Sequence, residues 1–437
     1  MRVLFQVDSW IYGNTELRDT RMEDKVSDNK PSPPRVLPQG GFFAQLDKLD
    51  AIQDYLPQQE CVRLFGISRK DFEDENFLRE DGCHTYVLDI ESSVFFQALI
   101  KTYTRRSHFR KILESRNYLG GLWIYIDFNL AQRITASYAY VAFAESGPQY
   151  INIRKIKIMS KPIQLPPLEQ AKPMEEVRAK DIATLSTFHV GQGMCSVYTY
   201  GDQQYLLDAG AGKPVTRQTY QRNHHPDGTR FRNELRSCLS RQNLNAVISH
   251  LDSDHWRLLE WDPVICAQLA NIYFPVGTRS LALRSSVILS KVKALDSCTI
   301  RFDSRNFLAM MRTKPLRSDQ NGEALVAVAV CDGLQALLPG DYVYERMLID
   351  RNADLRVLAT QQYSAVVVPH HGDSASARNV PQACGLPVQR QPIAFFSAGT
   401  HFRYLHPRPA SVNAHILSGF DAIVDNSCPD IIEQRLL

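Results

Sequence analysis

The sequence predicts a mixed α/β fold whose second half is layered, with sheets packed against helices. Two observations lead to this prediction. From about residue 183 onward, short apolar runs rich in β-branched residues alternate with turns and with segments of helix length. Ten of the twelve histidines lie beyond residue 188, and several stand directly after such a run. We therefore expect a layered α/β domain that carries its chemistry at strand ends.

Length, composition and charge limit the classes of protein to consider. With 437 residues and 44% hydrophobic content, the chain can bury a large core and is expected to hold two domains. The net charge is +3, from 50 basic and 47 acidic residues. This balance excludes a global nucleic-acid footprint, so any basic binding surface must be local.

Cysteine usage and the N-terminus indicate the compartment. The nine cysteines are scattered, odd in number and without a CxxC pair, which predicts reduced thiols rather than a disulfide framework or a zinc ribbon. The first residues, MRVLFQVD, lack the pattern of an export signal, and no apolar stretch is long enough to span a bilayer. We expect a soluble, cytoplasmic protein with no membrane partner.

The first 170 residues are predicted to form a separate mixed α/β domain. Residues 19–41 are polar and rich in proline and glycine, which is typical of a mobile loop. A proline-rich stretch over residues 160–167 has the composition of a linker, so we place the boundary near residue 170, between domains 1–170 and 171–437. The elements predicted before it are strands over residues 85–90, 122–128 and 150–159 and a helix over 92–115.

Two basic runs in this half suggest a role in recognition. Residues 101–111 mix five cations with two aromatic side chains, and one face of the predicted strand 150–159 is basic. Such a mixture suits a nucleic-acid backbone with stacked bases, although a helix with a solvated basic face has the same pattern. The N-terminal domain is therefore expected to recognise the substrate or a protein partner.

The second half holds the strand ends that carry the chemistry. Its predicted strands cover residues 185–190, 195–200, 204–207, 246–249, 324–330, 336–338, 365–368 and 393–397. Directly after one of them, residues 250–255 read HLDSDH and bring His250, Asp252, Asp254 and His255 into one turn. Two imidazoles and two carboxylates this close suit two divalent ions a few ångströms apart, which activate water for hydrolysis. The alternative is an acidic, solvated loop with a histidine at each end.

Further candidate ligands stand at the ends of other predicted strands. They are Asp208, Asp341, His370, His371 and His406. A single acidic residue at a strand end is common in proteins. Several strand ends that each carry Asp or His are hard to explain as unrelated surface residues.

Other residues in this half have two interpretations each. His371 is either a catalytic acid or second-site ligand, or the cap of a turn. His189 is better explained as packing its loop, and His224 as part of an exposed turn. Arg403 suits a phosphate contact as well as it suits a surface loop.

These motifs together resemble metallo-β-lactamase-fold proteins. The chain contains FHVGQG at 188–193, LLDAG at 206–210, HLDSDH at 250–255, LPGD at 338–341, VPHHG at 368–372 and HP at 406–407, in the order that the family shows. The resemblance covers about residues 183–425 and is greatest to the hydrolase domain of ComEC-type DNA-uptake proteins. Those proteins carry the domain beside membrane helices, which this chain lacks. The resemblance implies an αββα sandwich with a two-metal site along one sheet edge.

The resemblance also implies roles for individual residues. Asp341 would bridge two divalent ions, His370 or His406 would complete the second site, and Asp208 would orient a ligand histidine from behind. A metal-bound hydroxide would attack phosphorus or a carbonyl, and Asp254 or a histidine such as His371 would move the proton. The remaining implied ligands are His250, Asp252, Asp254 and His255.

Several positions depart from the family pattern. His189 and Met194 stand where ComEC-type domains usually have aspartate, and Trp256-Arg257 replaces a glycine pair. Asp252 replaces a histidine, which makes the ligand set richer in oxygen and shifts the expected metal from zinc towards manganese or magnesium. Residues 256–340 contain no histidine, so the first metal site lacks one usual ligand or borrows His189.

The expected function is that of a metal-dependent hydrolase, and a phosphodiesterase or nuclease in particular. The expected partners are nucleic acid or another phosphodiester substrate, and a protein partner through the N-terminal domain. Two alternatives stay open. One is hydrolysis of a small ester, lactone or cyclic nucleotide, and the other is a regulatory module with a degenerate metal site in a multi-protein system such as phage defence.

Overall fold

The computed structural model describes most of the chain after residue 35. The described residues are 36–56, 58–102, 122–159, 163–172, 182–239, 244–317, 321–385, 391–401 and 404–437. Most of the predicted loop over residues 19–41, most of the basic run over 101–111 and Arg403 lie outside them, so what was predicted there stays a prediction.

Six antiparallel strands in the first part of the chain close into a barrel. In spatial order they run β1-β2-β3-β5-β6-β4, and β4 pairs back onto β1. Their interior is filled by apolar side chains, among them Phe42, Leu64, Leu88 and Ile126. The strands are β1 (Phe42–Ile52), β2 (Glu60–Ser68), β3 (Tyr86–Glu91), β4 (Trp123–Leu130), β5 (Tyr138–Val141) and β6 (Gln149–Ile158), and the helices of this part are α1 (Arg69–Glu73) and α2 (Ser92–Thr102).

The barrel confirms three predicted strands and adds three more. On β6, Ile151 and Ile156 are buried while Arg154, Lys155 and Lys157 are exposed, as the alternation in the sequence predicts. The strands β1, β2 and β5 were not predicted. The predicted helix over 92–115 is described as far as residue 102, where α2 ends.

Two seven-stranded sheets form the rest of the described chain. The first has the order β12-β11-β10-β9-β8-β7-β20, and the second has the order β13-β14-β15-β16-β17-β18-β19. The strands are β7 (Ala183–His189), β8 (Cys195–Tyr200), β9 (Gln203–Ala209), β10 (Leu244–Val247), β11 (Leu269–Pro275), β12 (Val292–Leu295), β13 (Cys298–Arg301), β14 (Phe307–Arg312), β15 (Leu325–Cys331), β16 (Leu334–Leu338), β17 (Ala365–Val367), β18 (Ile393–Phe396), β19 (Asp421–Val424) and β20 (Ile432–Arg435). The helices are α3 (Arg217–Arg222), α4 (Glu234–Cys238), α5 (Arg257–Trp261), α6 (Pro263–Gln268), α7 (Tyr344–Leu348), α8 (Ala353–Leu358) and α9 (Pro409–Leu417).

Strand periodicity decides which side chains fill each layer. Successive residues of a strand point to opposite faces, so Leu206 of β9 packs towards the helices outside the first sheet, while Leu207 packs between the sheets. Likewise Ala327 of β15 faces the inter-sheet core and Val328 faces the helices outside the second sheet. Both faces of both sheets are therefore apolar, and the strands read as nearly continuous hydrophobic runs.

The layers are helix, sheet, sheet and helix. Leu258 of α5 and Ile265 of α6 cover the outer face of the first sheet, and Met347 of α7 and Leu355 of α8 cover that of the second. The predicted αββα sandwich is confirmed. The barrel also packs on the helices of the first sheet, through side chains that include Phe65.

The pairing of the strands brings several carboxyl ends to one edge. β9, β10 and β11 are mutually parallel in the first sheet, and β16, β17 and β18 are parallel in the second. Asp208 is the penultimate residue of β9, and the segments that follow β10, β16 and β17 hold His250 and His255, Asp341, and His371, respectively. The edge where these strands end is therefore the place where the predicted ligands can meet.

Residues 34–437 form one compact unit. The predicted domain boundary near residue 170 lies within this unit and stays a prediction. In the part of the chain that the structure describes, no helix combines the length and the apolar character needed to cross a membrane. All nine cysteines lie in described residues and none is in a disulfide.

Candidate metal centre

The turn after β10 places two imidazole rings side by side in the protein interior. The rings of His250 and His255 are fully buried, with centroids 3.9 Å apart. Residues Ser253–His255 form a single 3-10 turn, closed by a hydrogen bond of 2.9 Å from the backbone N–H of His255 to the carbonyl of Asp252. This tight turn allows both rings to face the same side.

Asp341, which follows β16 in the second sheet, meets these rings. Its Oδ2 lies 3.6 Å from Nε2 of His250, and its Oδ1 lies 3.2 Å from Nε2 of His255. Potential ligand atoms of these three residues all lie within 4.8 Å of one another. Asp252 joins them with its Oδ2 3.6 Å from Nε2 of His250.

The loop after β17 brings a third imidazole. His371 is buried, and its Nδ1 donates to the carbonyl of Ser397 at 2.7 Å, which leaves Nε2 directed at the cluster. That Nε2 lies 3.5 Å from Oδ2 of Asp254 and 3.9 Å from Oδ1 of Asp341. Both His370 and His371 have positive φ angles, 48° and 54°, an uncommon conformation for residues other than glycine.

His370 and His406 lie at the periphery of the cluster. His370 is partly exposed; its Nδ1 pairs with Asp373 at 3.1 Å, and its Nε2 is 3.8 Å from Asp341. The ring of His406 lies 5.9 Å from that of His370 and 6.3 Å from that of His371, and its Nδ1 is 3.5 Å from the amide nitrogen of Gln192.

Four buried atoms of the cluster make no well-aligned hydrogen bond, although two of them, Nε2 of His255 and Oδ1 of Asp341, lie 3.2 Å apart. The four atoms are Nε2 of His250, His255 and His371 and Oδ1 of Asp341. Each unpaired buried polar atom costs about 1–3 kcal/mol, so such groups are rarely left together without a reason. Neutral imidazole nitrogen and carboxylate oxygen are the ligands that zinc and manganese take in proteins, and divalent ions bound here would satisfy these atoms. The donor set fits a metal ion.

Asp208 orients His255 from behind. Its carboxylate accepts hydrogen bonds from the backbone N–H of Ser249 at 2.6 Å, from the hydroxyl of Ser249 at 2.8 Å and from Nδ1 of His255 at 2.8 Å. Because Nδ1 is the donor in the last of these, the neutral ring of His255 would present the lone pair of Nε2 to a metal ion in the cluster. The structure thus places Asp208 behind the cluster, next to His255.

The charges of the cluster shift its pKa values in opposite directions. Burial alone would raise the pKa of Asp341, but His370 and His255 hold it well below its usual range. Burial alone would lower the pKa of His255, but the carboxylates that it faces raise it well above its usual value. Burial, together with His371 and His370, lowers the pKa of His406 to about 4. The carboxylate of Asp341 is therefore ionised at neutral pH. With no cation bound, a proton on His255 balances this charge, and a metal ion would have to displace that proton.

Two glycines of the predicted motifs allow the turn to approach the first sheet. A side chain at Gly210 would overlap the backbone carbonyl oxygen of Asp254, and a Cβ at Gly193 would come within 2.8 Å of the same atom. The backbone N–H of Met194 donates to that oxygen at 3.2 Å. The glycines of GQG and DAG are therefore required by close backbone contact, which locks the turn in place.

The barrel contributes two side chains that sequence reasoning did not find. Nζ of Lys48 on β1 lies 3.8 Å from Oδ2 of Asp254, and Oδ2 of Asp47 accepts a hydrogen bond of 2.9 Å from the hydroxyl of Ser253. Nothing in the local sequence around residues 47 and 48 signals this, because the contact depends on how the barrel docks.

The replacement of the glycine pair by Trp256-Arg257 is explained by the same docking. Trp256 is buried, with its ring centroid 5.4 Å from that of Phe65 and 5.9 Å from that of Phe143 in the barrel part of the chain. Nη2 of Arg257 pairs with Asp54 at 2.9 Å. The two residues after the turn are thus the contact between the turn and the barrel.

Two other histidines singled out in the sequence, His189 and His224, have the surroundings expected of them. His189 packs against Phe395, with ring centroids 4.7 Å apart, which is the packing role predicted for it. His224 is exposed in its turn, also as predicted. Arg403 lies outside the described residues.

No protein-family model matches the chain, and no curated protein matches it. Among solved structures, the short form of human tRNase Z is 14% identical, with 58% of this chain and 99% of that chain covered and a TM-score of 0.34. The metallo-β-lactamase-fold protein YhfI from Bacillus subtilis is 9% identical, with 59% and 100% covered and a TM-score of 0.32.

A mutant of the CmlA β-hydroxylase is 14% identical with a TM-score of 0.34; the match covers 60% of this chain and 55% of the hydroxylase, about half of that protein's length. At these identities and TM-scores, the resemblances carry no conclusion about activity. The αββα architecture stands on the topology described above, and the more specific resemblance to ComEC-type domains stays a prediction.

Proposed function

We propose that this protein is a metal-dependent hydrolase that cleaves phosphodiester bonds at a two-metal site. The observation that carries the proposal is the set of four buried, unpaired atoms that converge where the two sheets meet, on His250, His255, His371 and Asp341. When bound, divalent ions there would activate water and offset the negative charge that develops on a phosphate in the transition state.

The distances suggest how the ligands divide. His250, Asp252 and Asp341 face one another and would hold one ion. Asp254, His255 and His371 would hold the second, with Asp341 between the two. In this assignment His371 is a ligand, because its Nε2 is buried, unpaired and close to two carboxylates.

His370 and His406 are then left for substrate and proton handling. Both lie beside His371, and neither is locked against Asp341 as closely as His255 is. His370 is held by Asp373 on its Nδ1 side and is partly exposed, so its Nε2 can reach a substrate oxygen or complete the second site. A histidine in this position can donate the proton that the leaving oxygen needs.

Phosphodiesters are favoured over carboxylic esters by the charge of the site. Three carboxylates among the candidate ligands suit manganese, an oxygen-preferring ion, and zinc remains a candidate because of the three imidazoles. The ammonium of Lys48 adds a cation beside the cluster that can accept an anionic substrate. The resemblance to ComEC-type hydrolase domains points to the same substrate class.

The proposal is tested by metal content and by turnover. Protein purified without chelator is expected to contain close to two equivalents of manganese or zinc by inductively coupled plasma mass spectrometry. It should hydrolyse a chromogenic phosphodiester, or one of single-stranded DNA, double-stranded DNA, RNA and cyclic dinucleotides, in manganese-containing buffer. Removal of the metal should abolish turnover and lower the melting temperature, since an ion that binds only the folded state stabilises it.

A double variant, Asp254→Ala with His255→Ala, is expected to lose both metal and activity. His224→Ala, which changes an exposed histidine, is the matched control and should keep both. A parent protein that binds no metal and is not activated by added metal would overturn the proposal and favour a regulatory module. Turnover of a lactone or carboxylic ester but of no phosphodiester would favour a small-molecule hydrolase instead.

A further inference from the structure

Strand β1 of the barrel passes directly beside the candidate metal centre. Its Lys48 places Nζ 3.8 Å from Oδ2 of Asp254 and 5.3 Å from the ring centroid of Tyr404. The lysine side chain is 33% exposed, so it is only partly covered by its neighbours. A cation from the barrel therefore stands beside a site that the sandwich builds.

The backbone of β1 is irregular at this point. Its pairing with β2 shifts register between Leu46 and Lys48 and again between Lys48 and Ala51. Neighbouring residues of a regular strand point to opposite faces, yet Asp47 and Lys48 both contact the metal turn. Bulges re-aim side chains and are common beside functional sites, and here they direct two successive residues to one side.

Stability alone is a poor explanation for this arrangement. An ion pair with an N–O separation of 3.8 Å and a partly exposed lysine contributes little to the stability of the fold. If the carboxylate of Asp254 binds a cation, its charge is shared with that cation, and the ammonium of Lys48 can then contact a further anion. Under the proposed function, the anion that enters this site is a phosphate group.

We propose that Lys48 is an anion-binding residue that the barrel contributes to the metal centre, where its ammonium contacts a non-bridging oxygen of the substrate phosphate. The identity of the anion as phosphate rests on the proposed function. The position of the cation beside Asp254 does not.

The test compares Lys48→Met, which keeps the length of the side chain without its charge, with Lys48→Arg, which restores a cation. Lys70→Met, which changes an exposed lysine in the same part of the chain, is the matched control. Binding of inorganic phosphate to the full-length, manganese-loaded protein is measured by isothermal titration calorimetry. Metal content, melting temperature and the KM and kcat for a chromogenic phosphodiester are measured on the same samples.

Lys48→Met is expected to weaken phosphate binding about tenfold or more and to raise KM more than it lowers kcat, with metal content and melting temperature unchanged. Lys48→Arg should recover most of the affinity, and Lys70→Met should match the parent. The inference is overturned if Lys48→Met binds phosphate as the parent does, if its only defect is loss of metal or stability, or if the parent binds no phosphate. A parent that hydrolyses no phosphodiester, but binds phosphate in a Lys48-dependent way, would refute the proposed function and leave this inference standing.

Discussion

Replacement of Asp208 by asparagine tests how the first sheet controls the metal centre. The Asp208 carboxylate accepts three hydrogen bonds, two from Ser249 and one from Nδ1 of His255. Asparagine has nearly the same shape and can still accept from the backbone of Ser249. Its NH2 group, however, would face the Nδ1–H of His255. Both groups are hydrogen-bond donors, so the hydrogen bond between residues 208 and 255 would be lost.

The expected loss of metal affinity follows from this single hydrogen bond. His255 must either give up its hydrogen bond or move its proton to Nε2, the atom that faces Asp341. Loss of one hydrogen bond to a charged group is worth about 1.5–3 kcal/mol. Because 1.4 kcal/mol is a factor of ten, metal affinity should fall about 10- to 100-fold, which is the usual range for groups that orient a ligand histidine.

The assay is competition with a fluorescent chelator for zinc or manganese at pH 7.5, with parent, Asp208→Asn and Asp227→Asn compared. Asp227 is exposed in a turn, and its variant is the control for the chemical change alone. Urea unfolding in the presence of EDTA checks that the variant is folded. Metal affinity of Asp208→Asn within twofold of the parent would refute the role assigned to Asp208.

Three further predictions concern other parts of the fold. Trp256→Ala should lower the free energy of unfolding in urea by about 3–5 kcal/mol and weaken metal binding, because it removes the ring that packs against Phe65 and Phe143. Unchanged metal affinity in the folded variant would show that docking of the barrel does not support the turn. Gly210→Ala should displace the carbonyl of Asp254 and lower metal content, with a melting temperature below that of the parent, and a variant with full metal occupancy would contradict this. Burial lowers the pKa of His415 to about 4. Between pH 6.5 and 4, the His415 ring is therefore protonated in the unfolded chain but still neutral in the folded protein, which favours unfolding as the pH falls. Stability measured with EDTA should therefore fall by about 3 kcal/mol over that interval on account of this group, and His415→Gln should show a shallower decline; an identical decline in both proteins would refute the assignment.

The barrel is part of the site as well as a neighbour of it. Its Asp54 pairs with Arg257, while Lys48 and Asp47 contact the turn that holds the candidate ligands. A second buried contact, between Arg217 of α3 and Glu260 of α5, lies beside the same interface. Removing one partner from a buried charge pair leaves the other unpaired, so this interface is expected to be sensitive to substitution.

This contact also changes how the departures from the family pattern are interpreted. From the sequence, Trp256-Arg257 in place of two glycines suggested that the metal site could be degenerate. In the structure these residues bind the barrel, and the turn before them keeps the rings of His250 and His255 in contact, with centroids 3.9 Å apart. Packing against the barrel therefore explains the two larger side chains, and their presence does not imply that the metal site has been lost.

Much of the layered fold and the set of candidate ligands follow from the sequence. Apolar runs such as that of β15 are buried on both faces, so their hydrophobicity alone identifies them as inner strands. Each predicted ligand follows such a run, and a residue at the carboxyl end of a parallel strand must lie at the sheet edge. That is why Asp208, His255 and Asp341 could be named before their distances were known.

Tertiary structure alone decided the rest. Short or partly exposed strands, such as β13 and β19, have no periodicity strong enough to distinguish them from loops. Whether His371 or His406 faces Asp341 depends on a loop conformation with two successive positive φ angles, which no local pattern specifies. Lys48 reaches Asp254 from about two hundred residues away in the chain, because barrel docking and strand bulges bring it there. Local sequence determines periodicity and the chemistry of each side chain, whereas the distances between remote side chains exist only once the whole chain has packed.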